Sequence, residues 1–196
     1  TGSIYMHCDW HASHYIKSEM DKIFGYENFK NEIIWRYSQG GKGKKHWARK
    51  HDIILFYTKT SNYYFDNSSV RIPLTQHKRS STGSYGGRMG VDEDGKAYVE
   101  KWGTGKKKLY RYYLDEGKIP EDVWEIQSIQ AGAGERIGYP TQKPIQVLQW
   151  IIEASSKPND VVADFFCGGG SLLEAAMGIR IKEKEGKLTK NFYPEK

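Results

Sequence analysis

The chain has 196 residues, 38% of them hydrophobic and 14% aromatic, with 30 Lys and Arg against 24 Asp and Glu. A mean hydropathy of −0.74 and the lack of any run of about 18 apolar residues exclude a membrane-spanning helix, and the aromatic content excludes disorder throughout. The formal charge of +6 favours a polyanionic partner, and two widely separated cysteines, Cys8 and Cys167, make no disulfide framework and point to a reducing cytoplasm.

Taken in chain order, Ser3–Cys8 is predicted as a buried strand. Ala12, Tyr15, Ile16, Met20, Ile23 and Phe24 then recur at helical spacing, with Asp9 as the expected cap and Gly25 as the stop. Glu32–Tyr37 and Asp52–Tyr57 are short and rich in β-branched and aromatic residues, so they read as strands. Regularity is lost over 61–134, which is rich in Gly, Ser, Tyr and Lys. Turn signals stand at Ser84–Gly87 and Asp92–Gly95, and short β pieces over Lys96–Trp102 and Leu109–Tyr113 are the most it suggests. This stretch is expected to be an irregular insertion with little core of its own.

The last part returns to clear patterning. Pro144 suits the first residue of a helix, with Ile145, Leu148, Ile151 and Ile152 on one face and a turn at Lys157–Asp160. Val161–Phe166 is predicted as a strand, Cys167-Gly168-Gly169-Gly170 as a glycine turn, and Ser171–Met177 as the start of a helix. Strand, glycine loop and helix is the pattern of a nucleotide-cofactor site in a doubly wound sheet, because a Cβ would block close approach of a cofactor to the backbone. A helix starting near Ser171 also offers amides to an anion. The spacing is neither that of a dinucleotide site nor that of a phosphate loop, and a three-glycine loop by itself fits a plain strand-to-helix turn equally well. Residues 182–196 read as a charged, solvated or frayed tail.

Two segments carry a resemblance. Gly138-Tyr139-Pro140-Thr141-Gln142-Lys143-Pro144, followed by Asp164-Phe165-Phe166-Cys167-Gly168-Gly169-Gly170, resembles two motifs of the site-specific DNA methyltransferases that methylate exocyclic amino groups, adenine N6 or cytosine N4. Gly2–Asp9, Ala12–Tyr15, Phe24-Gly25, Phe29–Trp35 and Lys50–Tyr57 are similar to the segments that follow the catalytic motif in that family. The order of the motifs resembles the permuted β group. The resemblance implies an α/β fold, a doubly wound mixed sheet of the Rossmann-like methyltransferase type with an irregular insertion. Residues 1–60 would be part of the catalytic half, 61–134 the target-recognition insertion, and 135–181 the cofactor-binding half.

The resemblance further implies S-adenosylmethionine as cofactor, surrounded by Asp164, Phe166, Cys167, Gly168 and Gly170, with Thr141, Gln142 and Lys143 beside it. Lys143 suits the cofactor carboxylate by charge, and His7 and Asp9 are expected at the neighbouring strand end. The implied function is methylation of an exocyclic amino group, adenine N6 being the expected one, in duplex DNA within a restriction-modification system. The family's catalytic Asp/Asn/Ser-Pro-Pro-aromatic motif does not occur, since no two prolines are adjacent. It is expected upstream of Thr1, so the chain reads as a fragment, and no catalytic residue is assigned. The alternative is a non-catalytic or partner-dependent nucleic-acid-binding module built on a partial methyltransferase fold.

Partners follow from charge and resemblance together. Lys42, Lys44, Lys45 and Arg49, with Arg36, Lys50 and Trp47 nearby, form one basic patch. Lys106, Lys107 and Lys108 with Tyr110 and Arg111 form another. Either suits a phosphate backbone, and either is matched by an ordinary solvated lysine loop. Trp102, Tyr112 and Trp124 read equally as core or as base contacts. Double-stranded DNA is the expected partner, with a second chain, a dimer partner or a restriction endonuclease as further candidates, and no membrane. His7, Asp9, His11 and His14 are expected to have structural or cleft roles rather than to bind metal. Cys8 and Cys167 are expected to pack as small residues rather than to act as nucleophiles.

Overall fold

Five consecutive apolar residues, Ile53-Ile54-Leu55-Phe56-Tyr57, can all be buried in one strand only if both of its faces are covered. The computed structural model, which describes residues 2–72, 88–102 and 108–177 and the backbone of 180–184 and 187–191, shows that arrangement. The strand is β3 (His51–Thr58), paired antiparallel with β1 (Ser3–Cys8) on one side and β2 (Phe29–Arg36) on the other. β2 also pairs in parallel with the short β7 (Val123–Glu125), giving the order β1-β3-β2-β7. Alternation along the strands divides the side chains between two cores. Ile33, Trp35, Ile54 and Phe56, with Trp124 and Ile126, meet Val147, Trp150 and Ile151 of α2 (Ile145–Ser155). Cys8, Ile53, Leu55 and Tyr57 meet Ile16, Met20 and Phe24 of α1 (Ser13–Phe24). A mixed sheet therefore carries a helix on each face, the α/β layering expected from the sequence.

α1 ends where expected. Gly25, at φ 87°, donates its backbone N–H to the Asp21 carbonyl at 3.0 Å. Its start differs, because the Asp9 carboxylate does not cap the helix. That carboxylate accepts the backbone N–H of His11 at 3.0 Å and lies 2.8 Å from its ring Nδ1. The buried stripe of α1 is also narrower than the apolar pattern: Tyr15 and Ile23 are exposed.

The strand expected over Val161–Phe166 does not form. Residues 161–164 have no regular structure, Phe165 and Phe166 lie in a turn, and Val161, Phe165 and Phe166 are 95%, 90% and 86% exposed. β propensity reflects packing against neighbouring strands, and no strand among the described residues pairs with this segment.

Residues Asn67–Pro120 form a separate compact unit, the remainder of the chain forming the other. Within it β4 (Arg88–Val91), β5 (Ala97–Trp102) and β6 (Leu109–Tyr113) make an antiparallel meander, more regular than the expected insertion. The β4–β5 turn is held by the Asp92 carboxylate, which accepts the N–H groups of Asp94 and Lys96 at 3.0 and 2.8 Å. Reciprocal bonds between Ile72 and Lys118, 2.9 and 2.8 Å, tie the ends of the unit together. The expected turn at Ser84–Gly87 lies outside the described residues. Part of the expected tail instead pairs antiparallel, β8 (Arg180–Lys184) with β9 (Lys187–Asn191). Among the described residues no helix is long and apolar enough to cross a membrane.

Candidate functional site

The glycine turn and the Gly138–Pro144 loop come together through one side chain, Tyr139. Gly168 sits at φ +51°, and a Cβ there would stand 2.8 Å from the Tyr139 ring. A Cβ on Gly169 would stand 2.7 Å from Ile137 Cδ1 and 3.2 Å from Tyr139 Cβ. The turn needs glycine both for its left-handed backbone and because the aromatic ring lies directly on it. Its other fixings are local. Gly170 donates its N–H to the Cys167 carbonyl at 2.7 Å, and the Asp164 carboxylate accepts the Phe166 N–H at 2.9 Å, an Asx turn.

The loop is shaped by Gln142. Its side-chain oxygen accepts the Ile137 N–H at 2.9 Å, and its side-chain nitrogen donates to the Glu135 carbonyl at 2.6 Å. The Glu135 carboxylate in turn accepts the N–H of Ile145 at 3.3 Å, which satisfies a donor in the first turn of α2.

Between these segments and β1 lies a cleft of about 930 Å³, within the range of small-molecule sites. Ser3–His7 form one wall, and Thr141, Gln142, Lys143, Asp164, Phe166, Cys167 and Gly168 form much of the other. Val147, Ile151 and Ser155 of α2 add a largely apolar lining. Of the residues expected around the cofactor, only Gly170 does not line the cleft; it shapes the turn instead. α3 (Ser171–Ala176), six residues long, follows the turn directly.

Tyr5 and His7 carry the polar side chains of the β1 wall, and Cys8 and Asp9 follow them in the chain. Tyr5 stacks on Phe56 at 4.4 Å and its hydroxyl lies 2.5 Å from Ser155 Oγ; burial holds that hydroxyl well above its ordinary pKa, so it stays neutral. His7 reaches the Asp52 carboxylate with Nε2 at 3.1 Å, and the Tyr37 hydroxyl donates to the same carboxylate at 3.2 Å. Asp9 is turned to His11, whose hydrogen bond holds the Asp9 carboxyl below its usual range. The Cys8 thiol is pushed up to about 11 by burial, which leaves it protonated and inert. Among the described residues no group of three or more His, Cys, Asp and Glu is placed to hold a metal ion.

Tyr139, an aromatic residue between Gly138 and Pro140, has no local pattern in the sequence that assigns it to the glycine turn. The His7–Asp52–Tyr37 cluster carried none, since the partners are 45 residues apart and meet only through strand register.

The loop after β2 is anchored at its base. Gln39 and Ser128 exchange bonds, and Ser38 donates to the Gln127 side chain from its N–H at 2.9 Å. Lys50 donates to the carbonyls of Ser38, Gln39 and Gly40 at 3.1, 3.1 and 2.5 Å, so it fastens the loop internally. The Arg49 guanidinium lies 3.8 Å from the Trp10 ring centroid. Lys42, Lys44 and Lys45 are exposed, and Trp47 is almost wholly so. Lys106 and Lys107 lie outside the described residues.

Residues 1–182 match the family described as DNA methylase, N6_N4_Mtase. The chain is 30% identical to the type II methyltransferase M.EcaI of Enterobacter cloacae, an alignment covering 92% of this chain and 49% of that protein. It is 29% identical to the DNA adenine methyltransferase YhdJ of Escherichia coli, covering 85% and 49%, and 27% identical to the type II methyltransferase M.BglII of Bacillus subtilis, covering 76% and 36%. The chain thus spans half or less of the length of these relatives. A solved structure, the M1.HpyAVI–SAM complex, aligns with a TM-score of 0.49 and 16% identity over 90% of this chain and 63% of that one.

Proposed function

The chain belongs to the DNA methylase family, and from that premise we propose that it takes part in S-adenosylmethionine-dependent methylation of an exocyclic amino group in duplex DNA, within a restriction-modification system, with adenine N6 as acceptor. The observation that carries this reading is the seating of Tyr139 on the Gly168-Gly169 turn, which brings two sequence-distant motifs to one cleft. The residues present fit the cofactor. The volume is adequate, Lys143 offers a cation to a carboxylate, Asp164 offers an acceptor to hydroxyl or amino groups, and Phe166 and Val147 offer apolar surface. When bound, the cofactor supplies an activated methyl group.

The chain's own residues do the holding. Thr141, Lys143 and Cys167 border the cofactor, while Gln142 keeps the loop in shape and Gly168 admits Tyr139. The name of the YhdJ relative, a DNA adenine methyltransferase, supports adenine as the acceptor base. Methylating an amino group inside a duplex requires the base to leave the stack, so the protein must grip the flanking phosphates. Lys42, Lys44, Lys45 and Arg49 supply exposed cations for that, and Lys106 and Lys107 add charge of the same sign.

Calorimetric titration of the chain with S-adenosylmethionine tests the reading without requiring turnover. Saturable binding is expected, weakened by about tenfold in Lys143→Ala if one charge-assisted contact is lost, with circular dichroism unchanged. Absence of binding by the unaltered chain would sink the reading.

A further inference from the structure

The unit Asn67–Pro120 carries most of the chain's charge. Its 54 residues include eleven Lys and Arg and six Asp and Glu, a formal +5 out of the whole chain's +6. The two faces of its meander are unlike. On one, Arg111 pairs with Glu100 at 2.9 Å and lies over the Tyr98 ring at 4.6 Å, and Tyr98 meets Tyr113 at 5.9 Å. Those side chains partner one another, while Trp102 and Leu109, paired at the end of the same face, are 61% and 41% exposed. On the other, strand register lines up Met89, Val99 and Tyr112 across all three strands, with Val91 and Tyr110 on the same face.

Val99 is buried at the centre of that second face, but the ring of residues around it is open. Met89 is 62% exposed, Val91 64%, Tyr110 41% and Tyr112 51%. Two lysines reach over the tyrosine rings: Lys101 Nζ is 5.9 Å from the Tyr112 centroid and Lys108 Nζ 5.1 Å from that of Tyr110. The two rings are 6.5 Å apart, about two residues' rise along a strand.

Resting on the reading of the protein as a DNA methyltransferase, we propose that this face is a stacking platform for unpaired bases of a nucleic-acid strand. Tyr110 and Tyr112 would receive the bases, Met89 and Val91 would extend the apolar floor, and Lys101 and Lys108 would take the phosphates. Two considerations select this occupant. An apolar face bordered by cations, in a unit of net +5, is matched to a polyanion with apolar surfaces of its own. Such surfaces on a nucleic acid are the π-faces of its bases, which a duplex hides and an unpaired strand presents. Flipping a base out of a duplex creates a local unpaired stretch.

The test uses the full chain and fluorescence anisotropy with a labelled 20-nucleotide single strand and with its duplex. Changing Tyr110 and Tyr112 together to Leu is expected to weaken single-strand binding by about tenfold or more and to leave duplex binding within about twofold. Changing both to Phe, which keeps the rings, is expected to retain wild-type affinity. Lys101→Gln with Lys108→Gln is expected to reduce the slope of log K on log salt for the single strand by about 1.4, or 0.7 per phosphate contact. Thermal midpoints matching wild type exclude misfolding. Unchanged single-strand affinity in the leucine pair overturns the platform, as does an equal loss on duplex, which would indicate groove contact. If the unaltered chain binds neither probe, the platform fails along with the DNA part of the proposed function. Titration with S-adenosylmethionine reads the cleft separately, so the two failures are distinguishable.

Discussion

Gly168 and Gly170 look alike in sequence and differ in what surrounds them. Both have left-handed backbones, φ +51° and +80°, but only at Gly168 would a Cβ strike a neighbour, the Tyr139 ring at 2.8 Å. At Gly170 the nearest atom, Leu173 Cδ1, is 4.0 Å away. Gly170→Ala should therefore incur only the left-handed backbone penalty, about 1–2 kcal/mol, and leave Tyr139 in place. Gly168→Ala adds a steric clash and should displace the ring. Urea midpoints should fall in both, while S-adenosylmethionine binding should fall substantially only in Gly168→Ala. Equal binding losses in the two would mean that Tyr139 has no part in forming the cleft.

One carboxylate adds a polar contact to the apolar docking of α1 on β3. Asp21 receives the Lys17 ammonium at 2.7 Å and the Tyr57 hydroxyl at 2.5 Å, and Lys17 also lies 4.2 Å from the Phe29 ring centroid. The Lys17 hydrogen bond, followed by that of Tyr57, holds the Asp21 carboxyl below its ordinary value. A carboxylate whose folded pKa lies below its unfolded value of about 3.9 stabilises the fold above that pH, and loses the contribution as pH falls through the folded value. Asp21→Asn should thus have a lower urea midpoint than wild type at pH 6, and the gap should narrow below about pH 4. A gap constant down to acid pH would assign the effect to packing rather than charge.

This element also shows what was legible in the sequence. Met20 and Gly25 announced helix and stop, and β3 was legible because its apolar run is local. Val161–Phe166 also carries β-branched and aromatic residues yet forms no strand, since a strand depends on a neighbour that no local pattern reports. Asp9 has the sequence position of a cap, but a carboxylate near a helix start serves whichever donor is closest, here His11. Lys50 is one more basic residue of the loop in sequence, and its three carbonyl partners depend on how the loop folds back. In the site, the glycine turn and the Thr141–Lys143 segment were visible as motifs. The role of Gln142 within its own loop was not.

Over the whole molecule, charge and motif are separated. With +5 in the unit Asn67–Pro120, the unit bearing the cleft is left with a formal +1, from nineteen Lys and Arg against eighteen Asp and Glu. Lys42, Lys44 and Lys45 are then a local excess of cations in a nearly neutral body. At physiological ionic strength screening acts over about 8 Å, so these lysines can contribute by direct phosphate contact and hardly by long-range attraction. Direct contact has a measurable signature, because each neutralised phosphate releases counterions and steepens the salt dependence of duplex binding by about 0.9 in log–log slope. Replacing all three by Gln should flatten that slope by up to about 2.7 while a large residual slope, carried by the other unit, remains. A slope unaltered by the triple change would make Lys42, Lys44 and Lys45 an ordinary solvated surface and leave the unit Asn67–Pro120 as the source of DNA affinity. A slope abolished by it would reverse that assignment and place the phosphate grip beside the cleft.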